Sequence, residues 1–284
     1  SDLVDIYIMS SRLELKLSAC MLYVYSNLTL GNAKASERGL EIIRECLRKE
    51  MEAPTSERNT AYCVFAGYMG TVLLHLSTEE LPDMKKYMSS LPQGLRFFAA
   101  SVIAHALYLN GEYSRALGIC DAALFSCKEI YPVGMIYLYC VTAMCEISLK
   151  NQAEAEKAIL TAWKLAVKDE LIEPFIELHG LLQGLLESCI RKENPEMYRK
   201  ISDAVITFSR GWMAVHNPAS DRPVTDALTT MEFSIAMLAC RDWSNREIAE
   251  HMGVSLNTVK HYLTDIFNKL HVKKRDELKN FVLK

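Results

Sequence analysis

Five polar side chains recur on one helical face near the C-terminus, within the stretch VSLNTVKHYLTDIFNKL (254–270). They are Asn257, Lys260, His261, Thr264 and Asn268. An ammonium, an imidazole, a hydroxyl and two amides form hydrogen bonds well, and this set is unusual for a face that only contacts water. Such groups match the donors and acceptors on base edges in nucleic acids. Whether this face can contact base edges depends on the helices that position it.

The opposite side of the same helix is apolar with a 3.6-residue period, so we expect it to be buried. The predicted buried stripe consists of Val259, Leu263, Ile266, Phe267 and Leu270. Two faces this distinct predict a helix that packs on a small core and presents its polar side outward.

Two shorter helices are predicted before it, each beginning with a capping box, in which a hydroxyl and a carboxylate bond reciprocally to the backbone. Thr229-Thr230-Met231-Glu232 forms the first box, and Ser244-Asn245-Arg246-Glu247 forms the second. Gly253 is predicted to end the second helix, and Ser255 is predicted to cap the third. Two short helices, a tight turn and a longer amphipathic helix describe a helix-turn-helix, whose outward face enters the DNA major groove.

The stretch from Leu228 to Leu278 resembles the LuxR/GerE type of DNA-binding domain, and SNREIAEHMGVSLNTVKHYLTDIFNKL carries the resemblance. The resemblance implies that Lys260, His261 and Thr264 meet base edges, and Asn257 shares their face. It also implies phosphate contacts from Thr258 and Lys269, with Lys273, Lys274 and Arg275 adding charge. A fourth helix would begin at Arg275, with Leu278, Phe281 and Val282 pairing two domains on DNA.

Two positions depart from the family pattern, since glycines are usual where this chain has Asp242 and His271. Either residue could adopt a left-handed turn at some strain. The C-terminal domain of sigma factors has a similar helix-turn-helix, but an Arg-rich helix usually follows it there. HYLTDIFNKLHV favours the LuxR type.

The charge distribution agrees with a local anionic partner. The net charge is -3, yet residues 226–284 hold nine Lys and Arg against eight Asp and Glu. Between Lys260 and Arg275, Asp265 is the only acid. A basic patch on an acidic chain predicts a confined anionic partner, although a solvated helix end has the same appearance.

The preceding region reads as helices separated by turns, with weak strand signals throughout. Two segments share small residues where antiparallel helices must touch, and Ala155 and Ala162 follow Ala116 and Ala123 by 39 positions. NGEYSRALGICDAAL resembles half of a tetratricopeptide repeat, although the period exceeds the usual 34 residues. The helices are predicted at 3–30, 36–52, 58–77, 79–90, 95–110, 113–129, 133–150, 152–168, 172–192 and 196–215.

The predicted fold is therefore all-α, with a tetratricopeptide-like array of helical hairpins followed by a four-helix LuxR-type domain. We expect the array to span 1–215, a Pro-containing linker 216–227, and the DNA-binding domain 228–284. This arrangement resembles the C-terminal part of large LuxR-type regulators of the MalT kind. They carry an ATPase ahead of their repeats, but no Gly-x-x-x-x-Gly-Lys-Ser/Thr loop occurs here.

Other chemistry is weakly indicated. The nine cysteines form no CxxC pair and the seven histidines no HxxxH pair, so no metal or cofactor is expected. Glu173, Glu177 and His179 are the best candidate for a catalytic cluster, but a solvated helix face is the favoured interpretation, and the chain is not expected to be an enzyme. The uncharged runs 61–77 and 130–145 are short for membrane spans, so buried helices are expected instead.

The sequence thus predicts a bacterial, cytoplasmic transcription regulator that binds double-stranded DNA, as a homodimer, and associates with the nucleoid. The helical array would bind a small-molecule or protein signal and control oligomerisation. The alternative is a helical-repeat scaffold for protein partners with a secondary helix-turn-helix.

Overall fold

The computed structural model describes residues 6–30, 32–74, 81–216 and 228–278. Every regular element in these ranges is a helix, which confirms the all-α prediction. None of the helices within these ranges is long and apolar enough to cross a membrane. The chain forms two compact units, Ser1–Val141 and Thr142–Lys284.

The first unit is built from helices that pack in chain order. A short 3-10 helix, Met84–Ser90, lies between the third and fourth α-helices and packs against both. The α-helices are α1 (Leu13–Thr29), α2 (Ala33–Glu52), α3 (Glu57–Leu74), α4 (Gln93–Leu109), α5 (Tyr113–Ser126) and the first part of α6 (Pro132–Ser148). Their apolar faces form the core, and α3 is buried along most of its length, as the uncharged run there predicted.

The second unit continues with α7 (Gln152–Ala166), a 3-10 turn (Val167–Asp169) and the short helix α8 (Glu173–Glu177). A π turn at Leu186–Ile190 leads through Arg191–Glu193 to α9 (Pro195–His216). The C-terminal part contains α10 (Thr230–Cys240), α11 (Asn245–Met252), α12 (Leu256–Leu270) and a 3-10 helix at Arg275–Leu278.

Two successive hairpin turns share one geometry at the 39-residue period. After α4, the Gly111 amide donates to Tyr108 and the Glu112 amide to Leu107. After α6, the equivalent amides of Lys150 and Asn151 donate to the carbonyls of Ile147 and Glu146. Gly111 and Lys150 both have positive φ, at 77° and 64°. The turns therefore repeat in structure as the alanine spacing does in sequence.

The buried alanines support the same period. Ala116, Ala155 and Ala162 are fully buried, whereas Ala123 is half-buried. Small side chains allow close helix approach, so three of the four equivalent positions have the expected packing role.

Three predicted helices are wrong in extent, and the one expected at 79–90 is a 3-10 helix that begins at Met84, after residues 81–83 without regular structure. The segment 3–30 is interrupted at residues 9–12, before Leu13 begins α1. The segment 172–192 ends as an α-helix at Glu177 and passes through turns at 178–184, where Gln183 and Gly184 have φ of 50° and 84°. A left-handed pair cannot continue a right-handed helix, so the helix breaks here. The broken segment contacts the C-terminal helix-turn-helix region.

The predicted domain boundaries remain predictions. The helix α9 reaches His216, but residues 217–227 of the expected linker lie outside the described residues. The boundary between the two compact units falls within α6, and the second unit contains helices from both sides of the expected linker.

Candidate nucleic-acid interface

The site is framed by three capped helices, as the sequence predicted. The Thr229 hydroxyl accepts from the Glu232 amide at 3.2 Å, and the Glu232 carboxylate accepts from the Thr229 amide at 2.7 Å. Ser244 and Glu247 repeat the arrangement at 3.2 and 2.7 Å. These caps satisfy amides that the first turns leave free, and they fix where each helix begins.

The turn between α11 and α12 is tight. Gly253 ends α11 in the left-handed conformation at φ 64°, and Ser255 then accepts from the Thr258 amide at 3.1 Å. Asp242 and His271, which replace the family's usual glycines, also adopt left-handed φ values of 61° and 55°. The backbone therefore follows the glycine-type path at both positions without glycine.

The apolar stripe of α12 is confirmed at four of its five positions. The buried members are Val259, Leu263, Ile266 and Leu270. Phe267 is half-buried. The stripe packs on α10 and α11, so the orientation of α12 about its own axis is fixed.

That orientation places the predicted base-contacting residues outward. Asn257, Lys260, His261 and Thr264 are all exposed on the first three turns of α12. The Thr264 hydroxyl donates to the Lys260 carbonyl at 2.9 Å. Ammonium, imidazole, amide and hydroxyl groups on one exposed helix face provide the donors and acceptors that major-groove base edges require.

The predicted phosphate-contacting residues differ in environment. Lys273 and Lys274 are exposed, whereas Thr258 is half-buried with its hydroxyl 2.8 Å from that of Ser255. The Lys269 ammonium lies 2.7 and 2.8 Å from the two carboxylate oxygens of Glu232. Lys269 is therefore ion-paired within the domain itself.

This pair is electrostatically coupled. Burial opposes ionisation of Glu232, which is only 4% exposed, but the bonds from Lys269 and Thr229 outweigh it and lower the pKa of the carboxyl group. Glu232 thus remains an anion that both caps α10 and holds Lys269.

Of the expected fourth helix, only residues 275–278 lie within the described part of the chain. The 3-10 helix Arg275–Leu278 packs against α10, and Leu278 is fully buried within the domain. Phe281 and Val282, the other predicted dimer contacts, lie outside the described residues. The buried position of Leu278 gives it a role in holding this turn to α10, and pairing of two domains remains a prediction.

Sequence reasoning missed two anchoring residues. Arg275 is predicted to add positive charge and to begin a fourth helix, yet its guanidinium also donates to the carbonyls of Ala239 and Trp243 and to Asn245 at 3.0 Å. His251 was not assigned any role, yet it is 1% exposed and its Nε2 lies 2.8 Å from the Gln183 carbonyl. No local pattern marks a buried histidine, because its partner is 68 residues away.

Within the described ranges, no group of three or more His, Cys, Asp or Glu side chains is placed to hold a metal ion. His179 is buried and 2.9 Å from Glu187, so the expectation of a solvated face was wrong for this residue. Burial raises the pKa of the Cys20 thiol to about 11 and that of Cys63 to about 12, so neither is a nucleophile near neutral pH.

These features together define a helix-turn-helix domain of the kind that binds DNA through its third capped helix. Residues 226–282 match the family described as bacterial regulatory proteins, luxR family, with its GerE domain. The C-terminal segment is therefore a LuxR-type helix-turn-helix domain, as its motif predicted.

A curated relative provides a second, more distant comparison. The chain is 28% identical over 94 residues to the probable transcriptional regulatory protein SgaR of Hyphomicrobium methylovorum. The match covers 30% of this chain and 40% of that protein, so it spans well under half of the relative's length. No solved structure matches the chain at comparable significance.

Proposed function

We propose that this protein is a DNA-binding transcription regulator that contacts the major groove with α12. The observation that carries the proposal is the exposed set Asn257, Lys260, His261 and Thr264, held outward by the buried stripe on the opposite face. The LuxR-family match of residues 226–282 and the similarity to a transcriptional regulator support it.

In this proposal the four exposed residues contact base edges. A lysine ammonium donates to guanine O6 and N7, and asparagine or histidine bonds complementary groups on other base edges. Thr264 contacts a base or a thymine methyl group, after exchanging its hydroxyl bond to the Lys260 carbonyl. These contacts would give sequence preference.

A second set would hold the phosphate backbone without sequence preference. Its proposed members are Thr258, Lys269, Lys273 and Lys274. Phosphate contacts fix the register of a protein on the duplex and make affinity dependent on salt. Two copies would bind a roughly two-fold site, since helix-turn-helix regulators commonly bind as symmetric pairs.

The helical region before the linker would bind a small-molecule or protein signal and control oligomerisation. The support for this part is the repeated hairpin geometry after α4 and α6, because repeat arrays present extended surfaces suited to ligands and partners. Sedimentation of the full chain, with and without a DNA duplex, tests the oligomerisation part. An unchanged sedimenting species at every protein concentration on DNA, with one chain per duplex, would contradict it.

Selection from a pool of random duplexes, using the full chain, tests the proposed function. The expected result is an enriched sequence motif for the native protein and a loss of enrichment for Lys260→Ala. Lys157→Ala is the matched control, because Lys157 is an exposed helical lysine on α7, far outside the helix-turn-helix sequence. An unenriched pool after repeated rounds with native protein would contradict specific DNA binding.

A further inference from the structure

The first helix of the helix-turn-helix, α10, has no polar face. Packing against one neighbouring surface therefore cannot bury all of its apolar side chains. All side chains from Ser234 to Cys240 are buried in α10. A helix that is apolar all round must be covered on more than one side. One side of α10 packs on α11, α12 and the 3-10 helix, and another packs on α9.

The second covering surface includes the broken segment at 178–184. The His179 ring centre lies 6.4 Å from that of Phe233, on the first turns of α10. A Cβ atom at Gly180 would lie 2.7 Å from Phe233 Cε1, so the ring occupies the space that any other residue would need. Phe233 is thereby seated against a glycine that lies outside the helix-turn-helix sequence.

The helix α11 contacts the same segment through His251 and Met252. The His251 Nε2 group donates to the Gln183 carbonyl at 2.8 Å, since a carbonyl can only accept. A Cβ atom at Gly184 would overlap the sulfur of Met252, and Gly184 also has φ of 84°. Only glycine combines this backbone conformation with this close approach.

Polar contacts surround this apolar centre. The Lys150 ammonium lies 2.9 Å from the Glu247 carboxylate and 5.8 Å from the centre of the Trp243 ring. The Arg241 guanidinium donates to the Ser148 hydroxyl at 2.9 Å. A buried apolar centre with a polar rim is the anatomy of a specific protein interface.

The docked surface and the proposed DNA surface use different parts of the domain. The docking residues lie on α10, α11 and the loop between them, at Phe233, Arg241, Trp243, Glu247, His251 and Met252. The base-contacting candidates lie on α12 and are exposed while the domain is docked.

We propose that residues 148–150 and 179–184 form a docking platform for the helix-turn-helix domain of the same chain, and that the platform orients this domain while leaving α12 free. The helical region would then influence DNA binding by moving or releasing an already open domain, and not by unmasking a covered one. The open-surface half of this proposal rests on the proposed DNA-binding function, whereas the docking half stands without it.

The paired variants Gly184→Ala and Gly118→Ala test the docking half in the full chain. Gly118 lies in α5, and a Cβ atom there meets no other atom within 4 Å. Hydrogen exchange of the amides in α10 and α11 is measured for both variants. Exchange is expected to become about tenfold faster in Gly184→Ala, because loss of the platform lowers the opening free energy of both helices, and to stay native in Gly118→Ala.

Affinity for a short duplex carrying the selected motif tests the open-surface half. Gly184→Ala is expected to bind within about threefold of the native protein, because α12 was not covered before release. A gain of about tenfold or more would show that the docked state masks α12 and would overturn the proposal. Native exchange rates in a folded Gly184→Ala protein would overturn the docking half.

The rim supplies a milder variant should Gly184→Ala fail to fold. The double variant Lys150→Ala/Arg241→Ala removes two rim contacts and leaves the glycines in place, so faster exchange in α10 and α11 supports docking and unchanged exchange refutes it. If the native protein binds no duplex at all, the proposed function fails together with the open-surface half, while the exchange data still decide the docking half.

Discussion

Lys269 and Glu232 join the two ends of the helix-turn-helix, with the ammonium 2.7 and 2.8 Å from the two carboxylate oxygens. Glu232 caps the beginning of α10 and Lys269 lies in the last turn of α12. One residue proposed to contact phosphate therefore also stabilises the domain, and the two roles can be separated by experiment.

Replacing Lys269 with alanine should affect both stability and DNA binding. Buried Glu232 would lose its cation, and because Lys269 is 40% exposed we expect only about 1 kcal/mol of lost stability. The slope of log affinity against log salt should become shallower by about one. Denaturant unfolding and salt-dependent titrations measure the two effects.

Lys274→Ala is the matched control, because Lys274 is exposed and lies beyond α12. It should reduce the salt slope by a similar amount, about one, without a loss of stability. A Lys269→Ala protein that is destabilised but keeps the native salt slope would show that Lys269 has a structural role only.

Thr264→Ala should change which base is preferred at one position, by about 1–3 kcal/mol, because Thr264 is exposed on the proposed major-groove face of α12. Competition between duplexes that differ at single positions measures this preference. Thr161→Ala is the control, since the Thr161 hydroxyl makes the same bond to the carbonyl four residues earlier, at 2.7 Å. Identical preferences for native and Thr264→Ala proteins would mean that another face of α12 contacts the bases.

His251 should make stability depend on pH. Burial lowers its pKa below the ordinary 6.5 and Lys192 adds to this effect, while the Gln183 carbonyl, Glu156 and Glu187 act in the opposite direction. The unfolded chain therefore binds a proton more readily than the folded one, so stability falls as the pH decreases below about 6.5 and the loss ends near the folded pKa.

Unfolding free energies between about pH 5 and 7 measure the effect. His251→Gln should flatten the dependence, whereas His261→Gln should preserve it, because His261 is exposed on α12. Equal pH dependence in His251→Gln and native protein would contradict this assignment, and Glu187 and Glu232 do not supply the effect, because their lowered pKa values act below this pH range.

His271→Gly should stabilise the C-terminal domain by about 1 kcal/mol, because His271 has φ of 55° and a left-handed residue with a side chain is strained. Asn268→Gly, three residues earlier in the right-handed part of α12, should instead destabilise slightly, by about 0.3 kcal/mol, because asparagine is already a weak helix former. Thermal or denaturant unfolding compares the two. A destabilised His271→Gly protein would indicate that the histidine side chain compensates for its backbone strain.

The framework of the candidate site was predictable because its signals are local. Capping boxes at Thr229 and Ser244, the glycine turn at Gly253 and the 3.6-residue stripe each involve residues within one or two turns of one another. All three appear where the sequence predicted them. The left-handed conformation of Asp242 and His271 was predictable from the family resemblance.

The docking platform was not predicted because its determinants are distant in sequence. His251 and Gln183 are 68 residues apart, and Lys150 and Glu247 are 97 residues apart. Two signals could have indicated it: the glycines in HGLLQG, which argue against a continuous helix at 172–192, and the absence of a polar face in TMEFSIAMLAC.

Equilibrium titration of the full chain against a duplex carrying its selected motif, compared with Lys260→Ala, is the most direct test of DNA recognition by α12. Lys260→Ala should weaken binding to this duplex by about 1–3 kcal/mol and lose most of the preference over a scrambled duplex, while the variant remains natively folded. Equal affinity and equal preference in the folded variant and the native protein would show that Lys260 on α12 does not recognise DNA.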